Sequence, residues 1–474
     1  MGSVRLDRPC GPRPGGGRIE RSRGFHGRQG QPARGLFLRG DGPHLAAGFR
    51  LEPRARRRDD TAGHTHPEGR RRGDFVRILH VTPYFAPAWA YGGPPRSVHG
   101  LCRELVRRGH EVTVVTTDAM DALHRATPLR EVLDGIDIFR YPNLSNELAW
   151  RRQLFLPRGT GKFLRERLPE FDLVHLHMYR TTQNVAVHRH ASRYRIPYVF
   201  SARGTLPRIV RYQRAKAVFD VAVGRRLLMD ASRCVALSQA EREQYEAMGV
   251  PSERIRTIFN GIDWESFQDL PPKGTFAGLH GLGGKRLVVY IGRIHSRKGL
   301  DHLLRAFTRV AGVDGDTTLV MAGPDEGDRR QLEGLARSLA ISDRVTFPGF
   351  LTGRHRLALF VDASVVVYPA KHEFFGLVPF EALACGKPVV VADDSGCGEI
   401  VRDAQAGLVV RAEDASQLSG AILASLEKGP EISQMVERGR RFVAERLNWR
   451  AIADETEQAY RETVAAREDE TPAS

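Results

Sequence analysis

From Arg77 onward the chain alternates short runs of Val, Ile and Leu with helical stretches, and after one interruption the same rhythm begins again. The first series places strands at about 78–81, 112–116, 173–176, 198–200, 235–237 and 255–259, with a helix over about 96–108. Runs this short and this continuously apolar are buried on both faces, which requires a mostly parallel sheet with helices on either side. The interruption is Pro271-Pro272-Lys273-Gly274, followed by a Gly-rich stretch over 281–284. Strands then resume at about 287–291, 318–322, 345–347, 365–368 and 388–391. At 474 residues the chain exceeds what one hydrophobic core serves. The pattern predicts an α/β protein of two doubly wound domains, 74–264 and 265–445, with the cleft between them as the ligand site. An amphipathic stretch over about 449–464, within a terminal segment 446–474, closes the chain.

Charge is distributed unevenly. Residues 1–73 hold 17 Arg against 7 acids, a net of +10 out of +16, so the body is only mildly basic. That leader is rich in Gly, Pro and Arg without a period of 2 or 3.6, and its composition predicts disorder. It is either a flexible tail or an over-long start. No run of about 18 apolar residues occurs, which excludes a spanning helix by sequence. The five cysteines stand at no two-residue spacing, so neither a disulfide framework nor a zinc knuckle is suggested; a cytoplasmic location is the expectation.

The most specific segment runs from Glu373 through Phe374-Phe375-Gly376-Leu377-Val378-Pro379 to Glu381. It leaves a buried strand and enters a helix, and Pro379 suits a first helical turn. The main-chain N–H groups of Gly376, Leu377 and Val378 would then form an anion site at a helix N-terminus, with no side chain on Gly376 to block approach. Two carboxylates flanking that turn suit vicinal hydroxyls of a sugar or ribose. In Gly292-Arg293-Ile294-His295-Ser296-Arg297-Lys298, Arg293 and Lys298 sit where the second domain's first strand ends, placed to neutralise a diphosphate. Gly92 and Gly93, before Pro94, would allow close backbone contact with phosphate from the other domain. In Val174-His175-Leu176-His177, alternation puts both imidazoles on one face, with His177 at the strand's carboxyl end.

Together these residues resemble glycosyltransferase family 4, retaining enzymes of GT-B fold with two Rossmann-like domains, over about 77–466. The likeness rests on Gly-Gly-Pro-Pro after the first strand, Val-His-Leu-His, the Gly-Arg and Lys-Gly pair, and the Glu-to-Glu block. It also rests on Asn260-Gly261-Ile262-Asp263, preceded by Phe259 where Pro is usual, and on Ser201-Ala202-Arg203-Gly204, with Ala202 where Pro is common. The resemblance implies transfer from a nucleotide-sugar to a saccharide or lipid-linked acceptor, with retained configuration, in polysaccharide or glycoconjugate synthesis. By it, His177 and Glu373 would act at the reacting sugar. Gly92, Gly93, Arg203, Arg293, Lys298, Phe375, Gly376, Leu377, Val378 and Glu381 would hold the donor. No cofactor and no metal are expected.

Competing readings have identifiable signatures. A Walker loop at 281–286 fails because Leu279 and Arg286 occupy required Gly and Ser/Thr positions. Asp314-Gly315-Asp316 reads as a turn rather than a metal motif. A sugar-nucleotide epimerase is the nearest enzyme alternative. A nucleic-acid-binding role would use the Arg-rich leader, although no nucleic acid is expected as a partner. The stretch 206–229 interleaves Arg208, Arg211, Arg214, Lys216, Arg225 and Arg226 with Ile209, Val210, Val218, Phe219, Val221, Leu227 and Leu228. It is either a core helix with a solvated basic face or a surface lying against anionic lipid at the inner face of the membrane.

Overall fold

The computed structural model describes residues 76–208, 212–427 and 429–469. These all lie within one compact unit, His64–Ser474. The reading of 1–73 therefore falls outside the described residues, as do Ile209, Val210 and Arg211.

The first sheet contains β1 (Arg77–Val81), β2 (Glu111–Thr117), β3 (Arg130–Leu133), β4 (Ile136–Tyr141), β5 (Leu173–His177), β6 (Tyr198–Ser201), β7 (Arg233–Ala236) and β8 (Ile255–Thr257). Their order is β3-β4-β2-β1-β5-β6-β7-β8, parallel except for the β3–β4 hairpin. The second sheet contains β9 (Arg286–Ile291), β10 (Thr317–Ala322), β11 (Val345–Gly349), β12 (Ala363–Tyr368), β13 (Val389–Ala392) and β14 (Leu408–Val410). It is parallel throughout, in the order β11-β10-β9-β12-β13-β14. Chain order reverses between β1 and β5 and again between β9 and β12, so each sheet has a crevice at the carboxyl ends of those strands.

Central strands such as β5 and β10 are buried along their whole length, including the two histidines of β5 and the two threonines that open β10. Two boundaries differ from expectation. The first helix begins at Gly93, not near 96, because Pro94 and Pro95 fit a first turn that needs no N–H from them. The strand expected over 255–259 ends at Thr257.

The final helix, Trp449–Asp469, turns back and packs on the first-domain helix Gly93–Arg107. Trp449 lies against Gly100 and Gly261, where any Cβ would collide with the indole. The Ile262 N–H donates to the Leu447 carbonyl at 2.5 Å, so the two connections between the domains run side by side.

Among the described residues no helix is long and apolar enough to cross a membrane. The core-helix reading of 206–229 holds in part: Leu206, Leu227 and Leu228 are buried, Phe219 packs against their cluster, and Arg214, Arg225 and Arg226 are exposed, but the α-helix is not continuous. None of Gln213–Phe219 is buried, and the helix passes through a π turn at Asp220–Gly224 before its apolar face reaches the core at Leu227 and Leu228.

Candidate active site

The turn after β12 is the centre of the second-domain wall. Gly376 caps the helix Leu377–Ala384 with φ +69°, and a Cβ there would press within 3.2 Å of Tyr368, Cys397 and Glu373. Conformation and crowding both demand glycine. The Glu373 carboxylate accepts from Lys298 Nζ and, at 3.0 Å, from the Tyr368 hydroxyl, while Lys298 Nζ reaches that hydroxyl at 3.1 Å. Burial pushes the Glu373 carboxyl up, but Lys298, Tyr368 and Arg293 more than reverse this and hold it below the usual carboxylate range. Glu373 is therefore an anion at neutral pH.

The other predicted cation is paired too. Arg293 Nη1 donates to Glu326 at 2.9 Å. Each of the two cations expected to meet a diphosphate is thus balanced by a carboxylate. Glu381, within the helix Leu377–Ala384, forms a two-pronged ion pair with Arg356. Arg96 from the opposite domain comes near that pair; burial lowers its pKa first and Arg356 adds to the effect. Phe375 is 2% exposed, with its ring 5.0 Å from Phe380. Its side chain is a core anchor, and what it offers a ligand is main chain.

Across the cleft, Gly93 stands at the start of its helix opposite the Leu377 side chain, which would lie 3.4 Å from a Cβ at Gly93. Gly92 precedes it at φ +93° as the helix cap. The structure thus brings Gly92 and Gly93 to the turn formed by Gly376, Leu377 and Val378. Pro94 and Pro95 lack N–H groups, so this helix end offers an anion fewer donors than the facing one.

His177 ends β5 on the same face as His175, as expected, and is fully enclosed. Its ring is 0% exposed, accepts from Arg203 Nε at 3.1 Å on Nδ1, and meets His80 Nδ1 at 3.0 Å through Nε2. The bond from Arg203 makes Nδ1 the acceptor, so Nε2 carries the proton and donates to His80. Both ring nitrogens are occupied, and contact with a sugar would require His80 or Arg203 to release one. Arg203 also donates to Asn260 at 2.6 Å. His175 bonds Tyr460 at 2.6 Å and Ser201 at 2.7 Å. Burial drives all three imidazoles down, His80 to about 3, so they are neutral at neutral pH.

The ring nitrogens of His80, His175 and His177 lie close enough to converge on one cation. The set is poor for that purpose. It contains no anionic ligand, all but His80 Nε2 are hydrogen-bonded, and the Arg203 charge stands against it. Asp314 and Asp316 form a turn at the amino end of β10, away from the cleft.

Several residues of the walls were not foreseen. His80 lies in register with His175 across the β1–β5 pair, visible only once those strands are paired. Arg356 and Glu326 find their partners at long sequence separations. Glu399 reaches from the second domain to cap the first-domain helix Gln239–Ala247, accepting from the Gln239 and Ala240 N–H groups at 2.7 and 3.2 Å.

Residues 91–266 match the model for Glycosyltransferase Family 4, and residues 279–442 match that for Glycosyl transferases group 1. A D-inositol 3-phosphate glycosyltransferase of Mycobacterium bovis (strain BCG) is 30% identical over 412 residues, covering 81% of this chain and 82% of that one. The chain belongs to glycosyltransferase family 4. An uncharacterized glycosyltransferase of Methanocaldococcus jannaschii is 28% identical over 398 residues, 81% of this chain and 98% of its own. Among solved structures, Anabaena HepE in complex with UDP and glucose superposes with a TM-score of 0.65 at 20% identity, covering 81% of this chain and 99% of that one. Sucrose-phosphate synthase of Thermosynechococcus elongatus gives 0.66 at 22%, covering 82% and 100%. The architecture of this glycosyltransferase is GT-B.

Proposed function

We propose that this glycosyltransferase draws its sugar from a nucleotide-sugar and transfers it with retention to a saccharide or lipid-linked acceptor, in polysaccharide or glycoconjugate synthesis. The observation that carries the reading is the convergence of Lys298, Glu373 and the Gly376 turn on one wall, facing Gly93 on the other. The complex of Anabaena HepE with UDP and glucose supports it by analogy of fold. The donor diphosphate would lie over the N-terminus of Leu377–Ala384, its charge met by Arg293, Lys298 and main-chain N–H groups without a metal. Glu381, oriented by Arg356, would hold the ribose, and Glu373 the transferred sugar.

Glu373 is held as an anion by Lys298 and is poorly suited to remove a proton from the acceptor. The acceptor hydroxyl instead attacks the anomeric carbon on the face that the leaving group departs. The bond from carbon to phosphate oxygen breaks with its electron pair going to the diphosphate, and the acceptor proton passes to that leaving oxygen. Stabilising the departing charge is then the main catalytic work. A lipid-linked acceptor would bring the enzyme to the inner face of the membrane as a peripheral protein. The relatives named above are glycosyltransferases, which favours transfer over the epimerase and nucleic-acid readings.

The test is thermal stabilisation by a panel of UDP-, GDP- and ADP-sugars, followed by the anomeric configuration of the product. At least one donor is expected to raise the melting temperature of the wild type and less so that of Glu381→Ala. No stabilisation by any of them would overturn donor binding, and an inverted product would overturn retention.

A further inference from the structure

The helix that begins at Gln213 buries the acid Asp220 and packs Phe219, Leu227 and Leu228 on the core, yet holds Val218 and Val221 outward. Asp220 is buried, accepting from Arg180 Nε at 2.9 Å, Arg180 Nη2 at 2.8 Å and Arg208 Nε at 3.0 Å. Gly224, Leu227 and Leu228 continue that inward face. Gly224 lies beneath Tyr179, whose hydroxyl a Cβ would strike. On the outer side Val218 is 68% and Val221 86% exposed. Arg214 and Arg225 stand one turn before and one turn after this pair, both exposed. Tyr212 is exposed at the same end, with the Arg152 guanidinium 5.1 Å over its ring.

We propose that this stripe docks the enzyme on an anionic phospholipid surface, with Val218, Val221 and Tyr212 entering the headgroup boundary and Arg152, Arg214 and Arg225 meeting lipid phosphates. The proposal rests on the reading of a lipid-linked acceptor and names the surface that would meet it. Charge complementarity favours lipid as the occupant. The nearby acids are already committed, Asp220 to Arg180 and Arg208, and Asp230 to His188 and Arg226. The exposed charge is accordingly basic. Two valines and a tyrosine are too few for the core of a stable protein interface. At an anionic surface, however, each basic side chain strengthens association by about fivefold.

Flotation of the full-length protein with phosphatidylcholine vesicles, with and without about 30% phosphatidylglycerol, tests the inference. The wild type should partition to the anionic vesicles, and V218D/V221D and R214E/R225E should each lower that partition by about tenfold. Binding through the basic segment 1–73 would not respond to the valine pair. Unchanged partition in both double variants, or no preference of the wild type for anionic lipid, overturns the proposal. So does a fall in sedimentation mass on replacing the valines with partition unaltered, which would make the stripe a contact between copies. Hydrogen exchange of the wild type gives a second measure that needs no variant. Slower exchange over 213–229 with anionic vesicles is expected, and unaltered exchange counts against docking. Stabilisation by nucleotide-sugars should persist in both variants, so failure here leaves the donor reading standing.

Discussion

The two walls of the cleft come from the same strand–helix units and handle polar groups in opposite ways. The second-domain wall keeps its charges and pairs them: Lys298 with Glu373, Arg293 with Glu326, Arg356 with Glu381. The first-domain wall buries three neutral imidazoles and lets Arg203 lean on His177 and Asn260 through neutral acceptors. Paired charges can be repartitioned when an anionic ligand arrives, because the cation is already in place and only its partner need yield. Buried neutral rings cannot gain charge without losing stability. The comparison assigns the chemistry of charge to one wall and the definition of shape to the other.

The largest effect should come from the charged wall. Lys298→Ala removes the compact cation opposite the departing diphosphate, and turnover should fall by about a hundredfold to a thousandfold, as for loss of one electrostatic stabiliser elsewhere. Glu373→Ala should cut turnover strongly as well. Steady-state kinetics and melting curves check both, and neither variant should unfold. Near-normal turnover in both would break the comparison at its stronger side.

On the neutral wall the order of effects should reverse. His177→Ala leaves Arg203 without its acceptor and opens a hole beneath 0% exposure, at a cost of about 2–4 kcal/mol. Stability should fall first, and donor-induced stabilisation should survive in whatever remains folded. If His177→Ala melts like the wild type yet loses turnover, the imidazole touches the reacting sugar and the division of labour is wrong.

Acidity sharpens the same contrast. The imidazoles have depressed folded pKa values, His80 to about 3, so below about 6.5 the unfolded chain binds more protons. Stability should therefore fall as pH drops from about 6.5, by up to roughly 1.4 kcal/mol per pH unit for His80 alone. Glu373 is also depressed, but its contribution persists above the ordinary carboxylate value of about 4.3 and is lost only as pH falls through the folded one. Between pH 6.5 and 5 the imidazoles lower stability as pH falls, opposed by carboxyls that burial raises, Glu241 among them. Melting temperature against pH should be shallower in His80→Phe than in wild type; equal slopes would remove His80 from the account.

How much of this was legible depended on whether the determining contacts were local. Eleven of the fourteen strands announced themselves as short, largely apolar runs, and the turn at Gly376 was readable because strand, glycine and proline follow one another. The β3–β4 hairpin was not, since Arg130, Glu131, Asp137 and Arg140 interrupt its apolar positions. The three-residue β14 was too short to stand out. The partners of Lys298 and Glu381 could not be assigned because an ion pair depends on tertiary placement rather than spacing: Glu373 lies 75 positions from Lys298, and Arg356 lies 25 from Glu381. Burial of His177 escaped for a related reason, as strand alternation gives a face but not what covers it.

The smallest expected effect concerns the joint between the walls. The helix Gln239–Ala247 begins at Ser238, whose hydroxyl accepts from the Glu241 N–H at 3.2 Å. Its two preceding N–H groups are taken by Glu399 of the other domain. Glu399 thus supplies from across the domain boundary the anion that a helix N-terminus favours. Glu399→Gln keeps an acceptor oxygen but removes the charge, costing about 0.3–1 kcal/mol. Glu399→Ala removes both N–H partners and should cost about 1–2 kcal/mol. Because the bond crosses between domains, the loss should show in kinetics as well as melting. The relative placement of Gly93 and Leu377 would loosen, raising KM for the donor more than it lowers kcat. A drop in melting temperature with KM unmoved would mean that the cap stabilises its helix without helping to align the walls.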